Sequence, residues 1–435
     1  MFHSPSFFLL LFPAPGPLGE CLAPQLDWRE TLTQKTVSDP YQAYTMVAVN
    51  NGHYAAFDPS GALWVIFIGP EGIPVVLQEL AIGQWVSHDL GSVSNSAQAR
   101  TSCRNPGIRW SESHGLSCAW LEQDSQNAYV VLAQAALDEH NQPHSWSRHV
   151  VASYPFSAEE NQAKYLCFDA SDESHLLGFT SGQPDLYARV FAEWGELPQS
   201  PLTSGLGSMI KSSDITIAAE GKRAILLWEE NWSGYGRGKE AHLVFCTSED
   251  GGMSWSEPAH VLGQETLGGD ASVCISQGTV YASWHRVTYG PGSGASSNFG
   301  TIFAAKMAPG EAAFSLLELQ QAGEPGSVGK GWLPCTGCAG DRVVIAWEAS
   351  DGAYPEKDQH AYAFSFWDTQ ETTPVLLSED VEAKPENDLS FYDSTANVLV
   401  HPLGHSLELF WIGVELLNAD QAVLSLQHRH ISLLP

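Results

Sequence analysis

Positive charge is scarce in this chain. Lys and Arg together number 20 against 50 Asp and Glu, a formal net charge of −30. A surface this acidic repels nucleic acid and anionic membrane, and anionic sugars too unless arginine is locally concentrated. No nucleic-acid partner is expected. Long apolar runs are missing as well: none approaches the ~18 residues of a membrane span, so no integral membrane span is expected. No Lys or Arg precedes Arg29, so the basic start of a secretory signal is absent. The apolar run Phe7–Phe12, followed by Ala14-Pro15-Gly16, still fits a short signal. Residues 1–25 are therefore set apart as a leader, either a signal segment or a disordered tail. The expected location is secreted or periplasmic, with the cytoplasm as the alternative.

Cysteines in metal-ligand order are also lacking. Cys335-Thr336-Gly337-Cys338 is a single C-x-x-C, with no second pair and no histidines at ligand spacing near it. A zinc site wants one or the other, so no metal and no cofactor is expected. Cys103, Cys167, Cys274 and Cys335 fall early in repeated β-rich units, where small buried residues are needed and free cysteine serves as a small hydrophobe. A Cys103–Cys118 disulfide across adjacent strands stays open. Nothing in the chain speaks to oligomeric state.

What the chain does have is β pattern and aromatics. Sixteen per cent of residues are charged and 11% are aromatic, including 15 Trp, which suits a globular β-rich protein. The clearest stretch is Ser213–Val261, four short β-rich runs separated by Gly- and Asp-containing turns. Its third turn, Ser248-Glu249-Asp250-Gly251-Gly252-Met253-Ser254-Trp255, has the form S-x-D-x-G-x-S-W. That form resembles the Asp box, or BNR repeat, of sialidase-like β-propellers. Ser248 and Asp250 can bond amides within the hairpin, Gly251 and Gly252 allow positive φ, and Trp255 can pack beneath. The resemblance implies a structural role for Ser248, Asp250, Gly252 and Trp255, on the rim away from the active face.

The unit repeats. An aromatic after a small or apolar pair recurs at Phe67, Trp120, Phe179, Trp228, Trp284, Trp347 and Trp411. The intervals are 53, 59, 49, 56, 63 and 64 residues, which suits four-stranded propeller blades with variable loops. A second aromatic marks the outer strand at Trp85, Trp146, Trp194, Trp255 and Phe314. The last unit lacks an outer strand, while Asp27–Leu32 looks like an outer strand without a unit. Joining the two closes a ring and removes an open sheet edge. The expectation is an all-β, single β-propeller over residues 26–435, of seven blades with six as the alternative count. Its ring is closed by an N-terminal outer strand completing the last blade. Residues 41–67 are the irregular part, with β pattern for three strands where two are needed.

Function is expected where long loops gather. The second-to-third strand connections lengthen in three consecutive units, at 229–241, 285–300 and 348–360. They carry Trp232, Tyr235, Tyr289, Phe299 and Tyr354 beside Glu229, Arg237, His285, Arg286, Glu348 and Asp351. Aromatic faces with carboxylates and arginines are what sugar recognition uses, so carbohydrate or a glycoconjugate is the expected partner. His53, Arg100, Asp214, Asp270, Trp332 and Asp393 enter inner strands on the same face. Asp270, Tyr289 and Glu229 are the catalytic candidates; Arg100, Arg237, Arg286, Trp232, Trp332, Tyr354 and Glu348 are the binding candidates.

The resemblance also sets a residue-level test. Sialidases use an arginine triad, a Tyr nucleophile helped by Glu, and an Asp acid/base. Here Arg100, Arg237 and Arg286 are the triad candidates, Tyr289 or Tyr354 the nucleophile, and Asp270 the acid/base. The family's early R-I-P motif is missing: Gly107-Ile108-Arg109 does not match it and Arg104-Asn105-Pro106 is a poor substitute. Two other classes therefore stand beside sialidase. One is a non-catalytic binding or scaffold propeller. The other is a polysaccharide lyase or non-sialidase glycoside hydrolase, using Glu229, Glu348 and Asp270 or His285 and Tyr289.

Overall fold

A computed structural model describes residues 24–37, 47, 53–91, 102–124, 127–138, 142–155, 166–180, 186–191, 215–230, 242–264, 266, 268–286, 300–317, 327–340, 342–349, 361–368, 375–379, 391–403, 406–418 and 421–433. Every regular element among the described residues is a strand. None is a helix able to cross a membrane.

The N-terminal strand β1 (Pro24–Val37) does not pair with its sequence neighbours. The next four strands form an antiparallel meander: β2 (Ala55–Phe57), β3 (Leu63–Ile68), β4 (Pro74–Ala81) and β5 (Gln84–Asp89). The same unit returns as β6 (Ser102–Ser111), β7 (Gly115–Gln123), β8 (Asn127–Leu137) and β9 (Pro143–Pro155). A three-stranded copy follows, with β10 (Leu166–Ala170), β11 (His175–Thr180) and β12 (Leu186–Phe191). Then come β13 (Ile215–Glu220), β14 (Arg223–Glu230), β15 (His242–Ser248) and β16 (Ala259–His260). An eight-stranded sheet holds β17 (Gly269–Ser276), β18 (Thr279–Arg286), β19 (Gly300–Met307), β20 (Ser315–Leu316), β21 (Ser327–Ala339), β22 (Arg342–Ala349), β23 (Ala361–Asp368) and β24 (Val375–Glu379). It is continuous because β20 is only two residues long and β19 pairs directly with β21. The last sheet has β25 (Phe391–Val400), β26 (Ser406–Asn418) and β27 (Gln421–Leu433), with β1 as its fourth strand.

This is a propeller-like arrangement. First strands pack in succession, β2 on β6, β6 on β10, β10 on β13, β13 on β17, β17 on β21 and β21 on β25. The circle closes where Tyr54 meets Phe410 edge-on at 6.0 Å, Phe57 meets His401 at 4.7 Å, and Phe410, Ile412, Leu424 and Leu426 share one core with the β2–β5 sheet. The joining of the termini is as the sequence predicts. β1 pairs with β27 from Pro24↔Leu433 to Val37↔Ala422, which leaves the last sheet without an unpaired third-strand edge.

Burial explains the sequence pattern. Second strands are covered on both faces by neighbouring sheets, so β3 is buried throughout and reads as a continuous apolar run. All seven recurring aromatics, from Phe67 to Trp411, lie on second strands and are buried. Of the outer markers, Trp85 and Trp146 lie on β5 and β9, Phe314 directly precedes β20, and Trp255 lies four residues before β16; Trp194 lies outside the described residues. Cys103, Cys167, Cys274 and Cys335 are all buried on first strands. Crowding there is real: a Cβ on Gly178 would stand 2.7 Å from Cys167 Sγ and 2.8 Å from Leu226 Cδ1. The Cys103–Cys118 disulfide is not formed, because Cys103 pairs with Glu122 and Cys118 with Ile108. In the irregular stretch 41–67 two strands are described, β2 and β3, with most of 41–52 outside the described residues.

Candidate active site at the mouth of the ring

Second strands do more than fill the core; they set bulges into their partners. The first-strand register slips between Arg104 and Gly107 across from Trp120, and between Gly269 and Ser272 across from Trp284. It slips again between Trp332 and Cys335 across from Trp347, and between Ser394 and Asn397 across from Trp411. Three of these bulges hold a non-glycine residue in the left-handed region: Asn105 (φ 50°), Asp270 (φ 50°) and Leu333 (φ 47°). Such residues are uncommon and bulges re-aim side chains. The four bulges repeat at the end of the ring from which the second-to-third strand loops leave.

Asp270 is the centre of the best-defined cluster. Its N–H donates to Glu229 Oε1, which comes from β14 of the preceding sheet. Its Oδ2 lies 3.0 Å from His285 Nδ1 on β18, off the line of a hydrogen bond. All three residues are buried: Glu229 is 2%, His285 4% and Asp270 6% exposed. The approach is tight enough to require glycine before Asp270. A Cβ on Gly268 would stand 2.4 Å from Trp284 Cδ1, and one on Gly269 2.8 Å from Glu229 Oε1. A carboxyl accepting a buried amide and a second carboxyl beside an imidazole bring three groups able to exchange protons to one point.

The other predicted residues divide. Arg286 ends β18 and its guanidinium stands 4.7 Å above the Phe303 ring. Trp332 and Glu348 are register partners on β21 and β22. Arg100, Trp232, Arg237, Tyr289 and Tyr354, with Asp214, Tyr235, Phe299, Asp351 and most of the three long loops, lie outside the described residues. The structure thus brings together Glu229, Asp270 and His285.

His53 takes part in a different group, one the sequence did not point to. Arg109 Nε lies 2.6 Å from Asp169 Oδ1, and Arg109 Nη2 donates to His53 Nδ1. His53 Nε2 donates to the Ile217 carbonyl at 2.7 Å. Asp169 also accepts the N–H groups of Ala170 and Ala219, each at 2.8 Å. A guanidinium cannot accept and a carbonyl cannot donate, so His53 is held as the neutral Nε2–H tautomer. The group joins the residue two before β2 to β6, β10 and β13. In the sequence Arg109 figures only in Gly107-Ile108-Arg109, which does not match R-I-P. Glu122 was also missed: it is fully buried on β7 and accepts from Trp120 Nε1 at 3.4 Å. Glu229, His285 and Glu348 each directly follow the recurring Trp, a mark that Arg109, Asp169 and Glu122 lack.

The turn Ser248–Trp255 lies at the other end of the sheet. Glu229 pairs with Leu243 at the start of β15, whereas Ser248 ends it opposite Ala224. Ser248 Oγ donates to Asp250 Oδ1 at 2.8 Å and accepts the Gly252 N–H at 2.7 Å. Asp250 accepts the Ser254 N–H at 2.9 Å and Ser254 Oγ–H at 2.5 Å. These Ser254 bonds hold the Asp250 carboxyl below its ordinary value. Gly251 and Gly252 have φ of 76° and 86°, and Trp255 packs half-buried against the Cys167–Trp228 core. No group of three or more His, Cys, Asp or Glu among the described residues is arranged to hold a metal ion.

No family model and no curated protein matches this chain. Solved structures do. A polysaccharide lyase of family PL25, an ulvan lyase bound to -[GlcA(1-4)Rha3S]-, is similar with a TM-score of 0.51 at 10% identity, covering 88% of this chain and 92% of that one. A protein of unknown function from Dyadobacter fermentans gives 0.49 at 11% identity, with 93% and 99% covered. A Trypanosoma rangeli sialidase mutant displaying trans-sialidase activity gives 0.43 at 10% identity, with 96% and 60% covered. What the chain shares with the lyase is its fold, an all-β propeller-like ring.

Proposed function

We propose that this chain is a sialidase-like Asp-box β-propeller of seven blades. It binds or acts on carbohydrate at the channel mouth formed by the loops 229–241, 285–300 and 348–360. The count of seven rests on dividing the eight-stranded sheet between β19, with its short partner β20, and β21. The Asp-box reading rests on the Ser248 and Asp250 bonds that clip the hairpin.

The observation that carries the functional reading is the meeting of Glu229, Asp270 and His285 at a bulge below the mouth. The three consecutive long connections, which carry five aromatics, follow β14, β18 and β22. The His285–Asp270 pair favours acid–base chemistry over a Tyr nucleophile, which points to a polysaccharide lyase or non-sialidase hydrolase within the same reading. His285 takes or returns the proton, with the Asp270 carboxyl beside its ring.

The experiment is a glycan array followed by product analysis on each hit, with a fluorogenic sialoside run alongside. The expected result is binding to a defined glycan, cleavage of that glycan, and no sialic acid released. Binding without products would favour the non-catalytic propeller. No binding across the array would overturn the carbohydrate reading.

A further inference from the structure

The C-x-x-C motif is not part of the mouth, and its two thiols do not serve one another. Three residues apart on an extended strand, Cys335 and Cys338 point to opposite faces of β21. Cys335 packs with Val398, Leu407 and Leu409 of the last sheet. Cys338 packs on the other side, against the cluster of Cys274, Tyr281 and Ile302.

Cys274 is brought there by register. β17 and β21 are neighbouring first strands and run side by side. The Thr336 N–H donates to Ser272 Oγ at 2.9 Å, joining residues 64 apart. Two residues further along each strand, on the same faces, stand Cys274 and Cys338, also 64 apart. Cys338 Sγ–H donates to the Ile275 carbonyl at 3.1 Å, the residue next to Cys274, and Cys338 packs against the cluster that contains Cys274. Cys274 is buried and Cys338 half-buried, so one thiol is reachable and the other waits behind it. Burial, and then the Cys338 contact, push the Cys274 thiol well up, which keeps it from reacting on its own.

We propose that Cys274 and Cys338 are a dithiol–disulfide pair that locks β17 to β21 when the protein meets a small-molecule disulfide. The Cys338 thiolate attacks one sulfur of that disulfide, releases one small thiol and leaves a mixed disulfide on Cys338. The Cys274 sulfur then attacks Cys338 Sγ and expels the second small thiol. Two protein thiols are oxidised, one external disulfide is reduced, and both protons end on the two released thiols. The lock falls at the seam where β19 runs directly into β21 and the outer strand β20 is only two residues long.

The test uses the full chain incubated with excess glutathione disulfide, quenched in acid, unfolded, alkylated and digested without reduction. The expected result is a peptide linking Cys274 to Cys338, two fewer alkylated thiols than in the reduced protein, and a melting temperature raised by several degrees, all reversed by dithiothreitol. Cys338→Ser should abolish the linked peptide and the melting shift. Cys274→Ser should instead trap glutathione on Cys338. Should the buried Cys274 variant fail to fold, the half-buried Cys338 variant still decides. Full alkylation of Cys274 and Cys338 after oxidation, or a link joining other cysteines, would overturn the proposal.

Discussion

Glu408 holds two histidines at once: its Oε2 lies 2.9 Å from His428 Nε2 and its Oε1 2.7 Å from His430 Nδ1. The three side chains join β26 to β27, the strand on which β1 closes the ring. His428 is fully buried and stacks on Phe410 at 4.6 Å. The sheet that β1 completes is thus tied by a carboxyl held between two imidazoles as well as by its strand pairing.

That clamp should make the fold sensitive to acid. Burial alone raises the Glu408 carboxyl, but the hydrogen bonds and charges of His428 and His430 outweigh it and hold the carboxyl below its ordinary 4.5. A depressed carboxyl contributes stability that is fully present above its unfolded value and is lost as pH falls through the folded one. Glu408→Gln should therefore lower stability at pH 7 by about 1.5–3 kcal/mol, the range for hydrogen bonds to a charged group. The gap between variant and parent should narrow below about pH 4.5, read from urea midpoints at a series of pH values. A gap that stays constant into acid would show that the carboxylate charge is not what matters.

Asp270 separates scaffold from function. Asparagine tolerates positive φ nearly as well as aspartate, so Asp270→Asn should keep the fold and its melting temperature within a few degrees. It removes the charge beside His285, and glycan turnover or binding should fall at least about tenfold, a loss of ~1.4 kcal/mol or more. Unchanged affinity and turnover for a glycan found on the array would remove Asp270 from the site.

Asp250 should behave in the opposite way. Asp250→Ala deletes the acceptor of two Ser254 bonds at the end of the sheet away from Glu229. A modest drop in melting temperature with unchanged glycan binding is expected. A selective loss of binding, with melting unaffected, would mean that the turn does more than build the hairpin.

Asp169 is the strongest expected point of failure. Asp169→Ala leaves the Arg109 guanidinium and the Ala219 amide without their carboxylate. Asp169 is buried while the Arg109 side chain is 21% exposed, so the loss should fall at or below the lower end of the range of about 3–5 kcal/mol for removing one partner of a buried pair. Chemical denaturation should register that loss, and Asp169→Asn, which keeps acceptor oxygen, should recover part of it. A loss under about 1 kcal/mol would place the pair with ordinary surface ion pairs.

Much of the ring was legible because its rules are local. A buried aromatic on each second strand, a small residue on each first strand and a stray outer strand at the N-terminus follow from crowding and from sheet edges. Both leave marks within one repeat. The site was legible in part. Glu229, Asp270 and His285 stood out because they begin or follow strands beside Gly268-Gly269 or a recurring Trp. Arg109 and Asp169 did not, since nothing beside them in sequence marks a buried polar group whose partner lies on another sheet, and Glu122 sits two residues after its Trp rather than next to it.

Order along the chain decided the all-β class, the repeat and the strand that joins the ends, because hydrophobic period and turn residues act within a few positions. Tertiary structure alone decided which residues of different sheets meet. Glu229 finds the Asp270 amide 41 residues away, Arg109 finds Asp169 at 60, and Thr336 finds Ser272 at 64. These distances vary with loop length. The contacts depend instead on the offset between neighbouring sheets around one axis, a property of the ring that no single repeat contains.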